Sequence, residues 1–166
     1  PHDADIATIV KILTTTFDQK YEQVDTSRTT LSQNQIVTLA SLIEREARHP
    51  QDRPLISSVL HNRLDLGMAL QIDATVQYAL GYDQSQGTWW RNNLTLAEVQ
   101  VSSPYNTYRQ PGLPPGPIAS PGLSSLQAAA NPSDTNYLYY ITDKNLINHY
   151  ATTLEQHNAN IRKYGL

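Results

Sequence analysis

Six prolines fall inside one short segment, SSPYNTYRQPGLPPGPIASPG (Ser102–Gly122), and they restrict this chain more than any other feature. Proline fixes φ and has no backbone N–H, so neither a long helix nor a central strand can run through the segment. A flexible linker would need few apolar groups, yet Tyr105, Tyr108, Leu113 and Ile118 are interleaved with the prolines. The composition therefore predicts a stiff, ordered loop that shapes a surface.

Around it the apolar residues recur at helical spacing. Asp5 to about Glu22 reads as a helix, with Ile6, Ile9, Val10, Leu13 and Phe17 in register. Ser32 with Gln35 is a capping-box start, followed by a stripe of Ile36, Ala40, Ile43 and Ala47 that ends at His49-Pro50. Asp52 and Pro54 open a third helix that stops at Gly67, and its end carries Asn62-Arg63. Asp73 is placed to cap a short helix through Leu80, and Thr95 with Glu98 forms a second capping box. Ser120-Pro121 introduces a helix to Ala130. Asn136–Thr142 and Leu146–Ala151 read as two strands joined at Asp143–Asn145, and Thr152 with Glu155 caps a last helix to about Tyr164. The expectation is an α+β fold, mostly helical, with a small β-hairpin and a Pro-rich ordered loop.

A chain of 166 residues is most simply one domain with a real core. Its net charge of −3 favours neither nucleic acid nor an anionic membrane surface. The absence of cysteine excludes disulfides and thiol catalysis. No uninterrupted apolar run of about 18 residues appears, and PHDADIATIV has no signal-peptide pattern. Having no initial Met, residues 1–166 are expected to be a fragment of a longer protein. No Gly-rich phosphate loop is present, so no cofactor is implied. His49, His61, His149 and His157 lack zinc-ligand spacing, so no metal is implied either.

What remains for chemistry is a pair of acids at the end of SQNQIVTLASLIEREA (Ser32–Ala47). At 100° per residue, Glu46 lies beside Leu39, Leu42 and Ile43, while Glu44 lies beside Val37 and Ala40. Both flank the buried stripe, and periodicity does not choose between them. A carboxyl group held against apolar neighbours keeps its proton to higher pH, as glycosidic cleavage requires. Gln71 and Asp73 sit two apart in an extended approach and project to one side. Tyr105-Asn106-Thr107-Tyr108 mixes amides and hydroxyls with aromatic faces, a combination that suits a sugar but also suits a packed turn. Trp89-Trp90 reads equally as an exposed platform or a packed loop edge.

Taken in order, ASLIEREA, HNRL-x-x-GM-x-LQ-x-D-x-T-V-x-Y-x-LG, SPYNTY and GLPPGPI-x-x-PG resemble the YceG/MltG family of endolytic murein transglycosylases. The ending NYLYYITD…NHYATTLEQHN resembles that family's YLYFVAD…GHTF…HN. The likeness runs from about Leu31 to the C-terminus. It departs from the pattern at Ile72-Asp73-Ala74, where the family has TDP, and at Lys144–Asn148, which replace a glycine-rich turn, so no role is carried to His149.

The resemblance implies a lysozyme-like helical catalytic core and lytic cleavage of MurNAc-β-1,4-GlcNAc bonds, leaving 1,6-anhydroMurNAc ends. It assigns the acid/base to Glu46 and puts Gln71, Asp73, Tyr105, Asn106 and Glu44 in the substrate site. Peptidoglycan glycan strands are the implied partner, with peptidoglycan synthases as protein partners by family analogy. It also implies single-pass anchoring in the cytoplasmic membrane, with this domain on the outer face and a LysM-like part outside this stretch. Two rival expectations remain open. One is a hydrolytic muramidase with Asp73 as second carboxylate, the other a non-catalytic peptidoglycan-binding domain.

Overall fold

The computed structural model describes residues 4–91 and 93–165; Pro1–Asp3, Asn92 and Leu166, the ends of the expected single domain among them, lie outside the described residues. The elements run α1 (Ile6–Tyr21), α2 (Gln33–Glu46), α3 (Arg53–Asp65), α4 (Asp73–Leu80), α5 (Leu123–Ala130), β1 (Tyr139–Thr142), β2 (Asn148–Ala151) and α6 (Leu154–Tyr164). Single 3₁₀ turns lie at Pro50–Asp52 and Glu98–Gln100. The expected class, α+β and mostly helical with one hairpin, is what forms.

Helix α2 is the centre of the core. Its capping box closes as the sequence predicts, with the Gln35 side chain accepting from Ser32 N at 2.9 Å and Ser32 Oγ accepting from Gln35 N at 3.4 Å. Ile36, Leu39, Leu42 and Ile43 are fully buried against Ile56 and Leu60 of α3, Leu126 and Ala129 of α5, and Leu70 and Ile72. Helix α5 is short and rich in Ala and Ser, so backbones approach closely. Ser57 and His61 of α3 bond the carbonyls of Ala128 and Ala129 at 2.7 and 2.9 Å, satisfying helix-end groups that would otherwise be orphaned.

The Pro-rich segment is ordered by side-chain bonds in place of a ladder. Ile118 N–H donates to Ser41 Oγ on α2 at 3.0 Å. Thr107 receives the N–H groups of Gln71 and Ile72 through its carbonyl and its Oγ1, each at 3.0 Å.

The hairpin pairs Tyr139 with Ala151 and Thr142 with Asn148. It is shorter than the sequence suggests because Asn62 takes the carbonyls of Thr135 and Tyr137, pinning residues 135–137 to α3. Three local details also differ from expectation. The last helix is capped by Thr153, one residue later than read, with Thr152 bonding the Gln156 side chain. Asp73 does not cap α4, whose first turn is closed by Thr75 Oγ1 donating to the Ile72 carbonyl. Helix α1 forms as read, but Ile6, Ile9, Val10 and Leu13 stay exposed, Ile6 by 81%.

Candidate active site

Helix α2 ends with its two acids in different places. Glu46, on the last turn, faces a cavity of about 340 Å³ whose wall includes Arg63, Leu70, Gln71, Asp73, Tyr108, Tyr140 and His157. The Tyr140 hydroxyl, reaching over from β1, donates to Glu46 Oε2 at 2.5 Å. Burial raises the Glu46 pKa above the usual glutamate range and outweighs the lowering effect of that bond. The nearby Asp73 carboxylate raises it further, while Arg45 draws it back. Glu46 therefore holds its proton to higher pH than an ordinary glutamate.

Glu44 is outside that cavity. Its carboxylate accepts from Gly122 N at 3.0 Å and Ser125 Oγ at 2.6 Å and pairs with Arg53 at 3.3 Å. Partial burial pushes its pKa up, but the Ser125, Gly122 and Arg53 contacts prevail and the net shift is downward. It straps α2 to the start of α5 and to α3, and no direct contact with a ligand in the Glu46 cavity is open to it.

The approach to α4 brings Gln71 and Asp73 to the cavity wall together. Gln71 has φ +53°, a left-handed conformation that costs a non-glycine residue about 1 kcal/mol, and its N–H is held by the Thr107 carbonyl. Asp73, freed from capping, accepts from the Tyr108 hydroxyl at 2.6 Å. That contact and burial push the Tyr108 phenol well above its ordinary pKa, burial most.

Two sequence candidates have other work. Asn106 is 0% exposed, its amide donates to the carbonyls of Val99 and Val101, and its oxygen accepts from Tyr108 N. It braces the turn that presents Tyr108, which is a correction to its placement in the substrate site. Tyr105 packs against Tyr78 with ring centroids 4.8 Å apart and is absent from the Glu46 cavity wall, so it too supports the loop.

The sequence marks Arg63 only as part of a helix end and His157 only as a candidate zinc ligand; both line the cavity. Arg63 is 9% exposed and donates to the carbonyls of Leu138 and Leu70 at 2.7 and 2.8 Å, joining α3, the α4 approach and the hairpin. His157 stacks on Tyr139, and its Nδ1 is buried without a partner. Burial, with the Arg63 charge beside it, lowers its pKa below the usual histidine value. Tyr140 carries no local signal, since its role depends on an acid 94 positions earlier. His149 is occupied by Asp143 at 3.0 Å and by the Tyr164 ring. Trp89 is 59% exposed, whereas Trp90 is half-buried beneath the Arg45 guanidinium. No group of three potential metal ligands occurs among the described residues.

Comparison with known proteins gives one answer. The model of the YceG-like family matches residues 1–163, taking in α1 as well as the motif-bearing part. A protein of Bacillus subtilis (strain 168) named endolytic murein transglycosylase is 37% identical over 98% of this chain and 44% of its own length. One of the same name from Streptococcus pneumoniae serotype 2 (strain D39) is 34% identical over 81% of this chain and 24% of its own. A crystal structure of a yceG-like protein from Listeria monocytogenes superposes with a TM-score of 0.70 at 38% identity, over 92% of this chain and 45% of that one. This chain thus spans less than half the length of the relatives it matches. The chain belongs to the YceG-like family.

Proposed function

We propose that this domain cleaves peptidoglycan glycan strands internally as a lytic transglycosylase, with Glu46 as its single acid/base. The observation that carries the reading is the Glu46 carboxyl, raised in pKa by burial and held by Tyr140 at the wall of a polar cavity. With Oε2 engaged by Tyr140, Oε1 is left for the transferable proton. Protonated Glu46 gives that proton to the glycosidic oxygen, which departs as the C4 hydroxyl of GlcNAc as the bond to C1 of MurNAc breaks. The carboxylate then takes the proton of the MurNAc C6 hydroxyl as that oxygen bonds to C1, closing the 1,6-anhydro ring and restoring the acid. No water is consumed and no second carboxylate is required, unlike ordinary glycoside hydrolysis. Acid/base help of this sort contributes roughly 10²–10⁴-fold, and positioning against Gln71 and Asp73 supplies the binding component.

The names of the relatives support action on murein. A strand-cutting enzyme works where the strands are, so the same proposal places the domain on the outer face of the cytoplasmic membrane. Anchoring in that membrane and contact with peptidoglycan synthases belong to the same proposal; no helix among the described residues is long and apolar enough to cross a membrane.

Asp73 on the same wall favours one second reading, hydrolysis with Asp73 activating water. Mass spectrometry of products from purified sacculi separates the two, because a hydrolysed end is one water heavier than an anhydro end. Anhydro products from wild type and none from Glu46→Gln are expected. Unchanged yield from Glu46→Gln would overturn the assignment.

A further inference from the structure

A second cavity, of about 400 Å³, opens on Glu46 from the side of the hairpin turn, and its lining shares only Glu46 with the first. Arg45 and Arg48 border it, with Thr142, Asp143 and Asn148 across from them. Neither arginine has an acidic partner among the described residues, whose ion pairs engage Arg53, Arg91 and His149. Arg45 is nonetheless fixed, because its guanidinium lies 3.8 Å over the Trp90 ring with its donor edge free. Asp143 brings one negative charge to the lining but forms no ion pair with either arginine among the described residues. Its carboxylate already accepts from Asn145 N, Ile147 N and His149 Nε2, and so is committed to the turn. Thr142 and Asn148 bond each other. The cavity thus presents two unpaired planar cations beside the acid, the donor geometry that matches a carboxylate.

We propose that this cavity binds a carboxylate of the glycan strand, placed there by the lactyl ether of the MurNAc residue next to the bond that is cut. Two groups share that chemistry: the carboxylates of a peptide stem, and the lactyl carboxylate itself where the stem has been removed. The sugar rings are neutral, so this contact selects a substituent and sets the register of the strand against Glu46. The inference rests on the reading of Glu46 as the strand-cleaving acid, but its test is a binding measurement that does not need cleavage.

In the Glu46→Gln protein, affinity is measured for three soluble strands of equal length: stem-bearing, amidase-stripped, and stem-bearing with every carboxylate converted to an amide. Stem-bearing strands are expected to bind roughly ten-fold tighter than the amidated ones, the scale of one charge-assisted contact. Adding Arg48→Gln or Arg45→Gln should remove that margin, and Arg48→Lys should retain part of it. If stem-bearing strands carry the margin and stripped ones bind like amidated ones, the stem carboxylates are held; if stripped strands alone carry it, the lactyl carboxylate is, because a stem uses up that carboxyl in its amide bond. Amidated strands binding as tightly as both the stem-bearing and the stripped strands, or a margin unchanged in both arginine variants, overturns the proposal. Absence of anhydro products from wild type would instead overturn the catalytic reading and leave these affinities standing.

Discussion

Glu44 and Glu46 lie two residues apart on the same helix, yet their carboxyls titrate in opposite directions. Around Glu44 the fold gathers a backbone N–H, a serine hydroxyl and a guanidinium, all of which favour the charged form. Around Glu46 a desolvating wall and another carboxylate favour the neutral form and outweigh the one tyrosine hydroxyl that favours the charged one. The helix supplies both acids; the segments that pack on its two shoulders decide what each is for. One is a strap and the other is the proton donor proposed above, which is how neighbouring carboxyl groups acquire separate roles.

The contrast is open to attack at several strengths. The largest effect expected is on turnover. Glu46→Gln should lower the rate of anhydro-product formation roughly 10²–10⁴-fold, while Glu44→Gln should keep the rate within about ten-fold of wild type. Comparable losses in both would erase the distinction. Next comes stability. Glu44→Ala strips Arg53, Ser125 and Gly122 N of their shared acceptor and should cost about 1–3 kcal/mol at pH 7 in denaturant melts. Because the folded-state pKa of Glu44 is depressed, its contribution is present above the ordinary glutamate range and is lost as pH falls through it. The penalty should therefore shrink in melts toward pH 3.

Glu46 has the opposite sign. Its folded-state pKa is raised, so its relative stability is full below the ordinary glutamate pKa and is lost as pH rises toward the folded value. Glu46→Gln, which keeps an oxygen for Tyr140, should gain melting temperature against wild type as pH rises above the ordinary glutamate range. A flat difference would mean that the carboxyl is not desolvated. The smallest effect belongs to Tyr140→Phe. Removing the one bond that favours the ionised carboxylate should move the alkaline limb of the activity profile upward by a fraction of a pH unit.

Helix α2 was legible in the sequence because its evidence is local: a capping box and a stripe at 3.6 spacing. The Pro-rich segment was legible as ordered because aromatic and aliphatic residues accompany its prolines. The distinction between Glu44 and Glu46 was not legible from periodicity, since both flank the stripe and partners such as Gly122 and Tyr140 arrive 78 and 94 positions later in the chain. Asn106 failed as a site candidate for a related reason. An amide in a turn looks the same whether it faces a ligand or the carbonyls of Val99 and Val101, and only packing tells them apart. Asp73 erred in the other direction, since its position ahead of α4 reads as a cap while its carboxyl bonds Tyr108. Helix α1 shows that periodicity predicts a helix without predicting burial, for its apolar residues remain largely in solvent.

The tyrosine that holds Glu46 comes from the hairpin, late in the chain, while the acid comes from the second helix. An emerging chain that has released only its first helices carries an ordinary glutamate, ionised near neutrality and unable to protonate a leaving oxygen. The environment proposed to make Glu46 an acid is complete only when the hairpin closes over it, a contact of high sequence separation of the kind that is slow to form. On that proposal, the chemistry would be timed by folding.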